Sequence, residues 1–110
     1  MAFLCLLELE LHLPDNVDLK GKRKEVQSLK ARLNRRFGAA VAETDHHDLW
    51  QRATLATALV ARDRRSLGQT ADALQRFVDD RFGDWVSWER TVVSTGELKE
   101  DGMLDRRIDH

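Results

Sequence analysis

Three observations on the sequence predict an α+β domain. Residues 3–13 alternate apolar and polar side chains with the period of a half-buried strand. Two later segments carry apolar residues at helical spacing, and each stops at a glycine, Gly38 or Gly83. Short runs after each of these segments alternate again.

The elements follow in order. Cys5, Leu7, Leu9 and Leu11 share one face of the first strand, and Leu4, Leu6, Glu8, Glu10 and His12 the other. Pro14-Asp15-Asn16 breaks it, and Asp18 is placed to cap a helix. Leu19, Val26, Leu29, Leu33 and Phe37 form that helix's apolar stripe. Residues 39–43 read as a short strand and residues 52–61 as its antiparallel partner. Asp63 caps a second helix with the stripe Leu67, Ala71, Leu74 and Val78, and with Phe77 beside it. Residues 85–93 make the last strand. The order β-α-β-β-α-β predicts a ferredoxin-like split β-α-β fold, a four-stranded antiparallel sheet with two helices on one face. One domain is expected over 1–93, followed by a polar tail over 94–110.

The chain has 110 residues, 42% of them hydrophobic and 34% charged, which suits one globular domain with its own core. The net charge is −1, so any attraction for nucleic acid must come from local clustering. A single cysteine, Cys5, forms no internal disulfide and fits a reducing compartment. The apolar run 2–7 is too short for a signal peptide or a membrane span. A cytoplasmic protein without membrane contact is expected.

Charge clusters in the first helix. Lys20, Lys22, Arg23, Lys24, Lys30, Arg32, Arg35 and Arg36 are opposed there by Glu25 alone. Arg35 and Arg36 suit the negative C-terminal end of the helix dipole, whereas residues 20–24 sit at the positive end. Cations around free amides at a helix start are suited to phosphate, so this helix is the candidate nucleic-acid surface. The plainer alternative is a solvated helix face neutralised by nearby acids.

The segment 42–51 concentrates Asp45, His46, His47, Asp48, Trp50 and Gln51 between two strands. The predicted topology brings it to the same end as residues 12–24 and 79–85. His12, Asp45, His46, Asp48, Trp50 and Gln51 are therefore candidates for a site at the hairpin end. Adjacent residues rarely converge on one ion, and no spaced His or Cys pair supports a metal centre, so no metal or cofactor is assigned. Asp45 and Asp48 are expected to cap turn amides. No nucleophile sits in a recognisable elbow, which leaves an acid–base role for His46 without positive support. Trp50 is expected to close the open end of the core, the alternative being a stacking or interface anchor.

This segment also carries a resemblance. Leu19-Lys20, Lys22-Arg23, Ser28-Leu29, Arg32-Leu33, Arg36-Phe37, Val41-Ala42-Glu43, Asp45-His46 and Asp48-Leu49-Trp50-Gln51-Arg52-Ala53 resemble the YlxP-like proteins, small bacterial proteins of unknown function. Gly21 departs from the pattern, which more often has an acid there. The resemblance implies a ferredoxin-like fold, no established activity and a partner on the translation side, because genes of this family often lie near those for translation initiation and ribosome maturation.

On the open sheet face, Leu4 and Leu6 should lie near Ala56, Ala58 and Val60, while Glu8 and Glu10 lie near Arg52 and Thr54. That face offers no aromatic platform for bases. It suggests a two-fold homodimer instead. The sequence thus favours a non-catalytic module that engages RNA or a ribosomal particle through its first helix. The alternatives are a small enzyme or ligand binder at the hairpin end and a protein-interaction module.

Overall fold

In a computed structural model describing residues 1–100, the chain runs β1 (Phe3–His12), α1 (Leu19–Phe37), β2 (Ala40–Asp45), β3 (Arg52–Ala61), α2 (Arg64–Phe82), β4 (Val86–Ser94) and α3 (Thr95–Glu100). The sheet is antiparallel in the order β2-β3-β1-β4, which is the ferredoxin-like βαββαβ arrangement. Its register pairs Phe3 with Ala61 and Ser94 at one end of β1, and His12 with Arg52 at the other.

Local chemistry sets the helix ends. The Asp18 carboxylate accepts from the Gly21 amide at 2.7 Å, and that of Asp63 accepts from the Ser66 amide at 2.7 Å. Ser66 also donates its hydroxyl to Asp63, and these two bonds hold the Asp63 carboxyl below the usual carboxylate range. Gly38 closes α1 at φ 68°, a conformation that a Cβ disfavours.

The core lies between the sheet and the two long helices. Cys5, Leu7, Leu9 and Leu11 of β1 and Leu55 and Leu59 of β3 meet Val26, Leu29 and Leu33 of α1 and Leu67, Ala71, Leu74 and Val78 of α2. Phe82 joins this stripe and is also buried. Two boundaries differ from the sequence reading. β2 extends to Asp45 through a bulge between Glu43 and Asp45, and it begins at Ala40 rather than Ala39. Trp85 lies not in the last strand but in a 3-10 turn, Gly83–Trp85, entered through the positive φ of 55° at Gly83. Of the expected tail, Thr95–Glu100 forms α3, while residues 101–110 lie outside the described residues. α3 is tied to the chain start by Thr95 N–H donating to the Ala2 carbonyl at 2.9 Å, and to α2 by the Arg64–Glu97 ion pair at 3.2 Å. Among the described residues, no helix is long and apolar enough to cross a membrane.

Cys5 is fully buried on the helix-facing side of β1, and burial pushes its thiol up. Nearby Arg90 opposes that shift only in part. A thiol reagent at neutral pH is therefore expected to label Cys5 only as fast as the protein opens, because the thiolate is the reactive form. Rapid stoichiometric labelling of the native protein would contradict this packing.

Candidate functional site

The β1–α1 connection, the β2–β3 hairpin and the α2–β4 turn do meet at one end. Leu13 N–H donates to the Gln51 carbonyl at 2.8 Å, and the Gln51 side chain donates to the Pro14 and Asn16 carbonyls at 3.3 Å each. Asn16 donates in turn to the carbonyls of Asp18 and Trp50. A Cβ at Gly21 would fall 2.5 Å from Asn16 Oδ1. The glycine is thus the residue that lets Asn16 bridge the helix start and the hairpin.

The centre of this end is a residue expected on the surface. Lys22 is 1% exposed, and it continues the buried stripe Val26, Leu29 and Leu33 by one turn. Its ammonium lies 2.9 Å from Glu43 Oε2 and donates to the His46 carbonyl. Glu43 Oε2 is buried without an aligned hydrogen bond, so its charge depends on the ammonium beside it. Lys22 is accordingly withdrawn from the candidate phosphate contacts: its charge is already used inside the fold. The acid that faces the basic helix start is Glu43, not Asp45 or Asp48.

His46 takes the left-handed conformation, φ 62°, which is uncommon for a residue with a Cβ. Its carbonyl accepts from both Lys22 and the Leu49 amide, and its Nδ1 shares a 2.8 Å hydrogen bond with Thr54 Oγ1. Asp45 Oδ1 accepts from the His46 amide at 2.7 Å, and His47 Nε2 lies 3.2 Å from the Glu43 carbonyl. The loop therefore spends its polar groups holding its own shape. Asp48 is exposed, and among the described residues no three His, Cys, Asp or Glu side chains form a metal-binding group.

His12 departs from the expected cluster. Its ring meets Trp85 edge-on with centroids 5.2 Å apart, on the β4 side of β1. The two border a cleft of about 350 Å³ with Pro14, Asp15 and the Glu25–Arg81 ion pair, which is closed at 2.9 Å. Trp50 is 49% exposed and Trp85 51%, so Trp50 does not close the core. The sequence reading missed the Glu25–Arg81 wall because its residues come from different helices.

The other candidates lie outside this network. Lys20, Arg23, Lys24, Arg32, Arg35 and Arg36 are exposed, and Lys30 is half-buried. Among the described residues, none of these seven has a carboxylate within 4.0 Å. The hairpin end mixes both signs, with Asp15, Asp45, Asp48, Asp79, Asp80 and Asp84 beside the Lys20–Lys24 cluster, Arg52 and Arg81. The last two turns of α1, with Arg32, Arg35 and Arg36, and the start of α2, with Arg64 and Arg65, both lie toward the opposite end. On the open sheet face, Leu4 lies between Val60 and Val93, and Leu6 between Ala58 and Thr91. Ala56 pairs with Glu8, which also faces Glu89 across the β1–β4 pairing. Arg52 reaches Glu10 at 3.5 Å.

The chain belongs to the family described as "Protein of unknown function (DUF503)", whose pattern matches residues 4–97. No curated protein matches it. Among solved structures, the de novo designed protein Foldit4 is similar, with a TM-score of 0.56 over 86% of this chain and 99% of its own. At 6% sequence identity that likeness concerns the fold alone.

Removing one partner of the buried pair leaves an uncompensated charge. Lys22→Ala is expected to cost about 3 kcal/mol in denaturant unfolding, near the lower end of the range for buried pairs, because Glu43 keeps some access to water. Lys22→Met combined with Glu43→Gln is expected to cost clearly less than the two single changes summed. Additive losses would show that the two charges do not act as a pair.

Proposed function

We propose that this protein is a non-catalytic module that binds RNA or a ribosomal particle through phosphate contacts of α1; the resemblance to the YlxP-like proteins implies only a partner on the translation side. The observation that carries the reading is the set of α1 cations left without acidic partners among the described residues, on a chain whose net charge is −1. A helix face that only needed solvation would be better served by acids interspersed along it, and α1 carries Glu25 alone. Placing cations along one helix instead concentrates the local field where a polyanion can follow it. The hairpin loop serves as a brace that fixes the start of this helix, since its histidines and Asp45 are engaged within the fold.

The test is a titration with ribosomal RNA at several salt concentrations. Wild type is expected to weaken steeply with salt. A folded Lys20→Glu/Arg23→Glu/Lys24→Glu variant should bind more weakly, with a salt slope smaller by roughly 0.7–0.9 for each phosphate contact removed. Lys22 is left intact because its replacement would report on folding. Absence of wild-type binding at low salt would end this reading.

The module is further proposed to pair with a second copy across the open sheet face. The supporting observation is Val60, 71% exposed beside Leu4, with Leu6, Ala56 and Ala58 continuing the small apolar surface. Leu6→Arg is expected to halve the mass measured in solution by light scattering. A wild-type protein that is already monomeric, or a variant of unchanged mass, would refute the pairing.

A further inference from the structure

The unpaired arginines of α1 are not spread evenly. Arg32, Arg35 and Arg36 border a cleft of about 440 Å³ together with Phe77 of α2. Their spacing of three and four residues brings neighbouring side chains to one side of the helix. The Arg36 guanidinium carbon lies 4.7 Å from the centre of the Phe77 ring and 5.8 Å from that of Phe37. Those rings meet edge to face, 5.7 Å apart, and both pack against the core. Phe77 therefore provides a fixed aromatic wall, and a guanidinium stacked on it keeps its N–H edge free for another partner.

Three other arginines on the helix-facing side meet acids, whereas Arg23, Arg65 and Arg76 have none within 4.0 Å among the described residues. Arg64 meets Glu97 at 3.2 Å, Arg81 meets Glu25 at 2.9 Å and Arg90 meets Asp72 at 2.7 Å. The cleft arginines have no such partner within 4.0 Å among the described residues. The helix dipole accounts for a cation at the end of α1 but not for three arginines around an aromatic ring.

We infer that this cleft is a discrete phosphate-ester site that takes one phosphodiester of single-stranded RNA, with the adjoining base stacked on the outer face of the Arg36 guanidinium. Paired N–H donors from planar guanidiniums fit the oxygens of a phosphate, and the guanidinium plane itself serves as a platform for a base. The inference rests on the proposed RNA-binding role of α1 and adds to it a location and a ligand geometry. A free nucleotide offers the same chemistry and is the second source to be distinguished.

The experiment compares equal charge removed in two places. Binding of a labelled single-stranded RNA is measured for Arg32→Gln/Arg35→Gln/Arg36→Gln and for Lys20→Gln/Arg23→Gln/Lys24→Gln, each checked for an unchanged melting temperature. A discrete site predicts a loss about tenfold greater for the first variant at the same salt, and a measurable loss for Arg36→Lys, which keeps the charge but not the planar fork. Equal losses with a harmless Arg36→Lys would overturn the site while leaving the helix-wide reading intact. In a second arm, a nucleoside monophosphate is titrated alone and followed by NMR at Phe77 and the arginine side chains. Shifts that Arg36→Lys abolishes would support the site with a free nucleotide as its ligand, even if RNA fails to bind. With neither shifts nor a differential loss, the cleft is not a phosphate site.

Discussion

The buried ammonium of Lys22 is the constraint around which one end of the molecule is arranged. A charge withdrawn from water between a helix and a sheet needs an opposite charge and additional oxygen ligands. Glu43 provides the first from β2, and the His46 carbonyl provides a second contact from the hairpin. That carbonyl comes from a residue in the left-handed conformation and also closes the turn with Leu49. Helix start, sheet edge and hairpin are thereby joined through one cation. Asn16 and Gln51 complete the connection through backbone carbonyls.

This arrangement changes the meaning of the segment richest in chemical side chains. A run of acids and histidines looks like a site because those residues carry protons and bind metals. Here Asp45 is turned to the amide of His46, and the ring of His46 to Thr54. Cations without an acidic partner among the described residues lie instead along α1, where Arg32, Arg35 and Arg36 stand beside Phe77 of α2. A net charge of −1 concealed this cluster, because composition averages over the whole molecule.

How much of this was legible in the sequence depends on how local each signal is. The caps at Asp18 and Asp63 and the stops at Gly38 and Gly83 read correctly, because each is decided by a few neighbouring residues. Two clues to the buried pair were also present. Lys22 falls at the helical spacing of Val26, Leu29 and Leu33, and Glu43 shares the helix-facing side of β2 with Val41. Each breaks an apolar pattern, and the two carry opposite charge on elements expected to pack together. By contrast, nothing local told Trp50 from a core ring or joined His12 to Trp85, since those outcomes turn on loop paths.

By itself the sequence determined the order of elements, their buried faces and the ferredoxin-like arrangement, because periodicity and capping act over one or two turns and one solution buries all the stripes. Only the tertiary structure decided which charges were left free. Whether a lysine is a surface cation or an internal tie depends on what lies opposite it. For Lys22 that was Glu43 and His46, 21 and 24 residues away in the chain, and for Arg36 it was an aromatic ring on another helix.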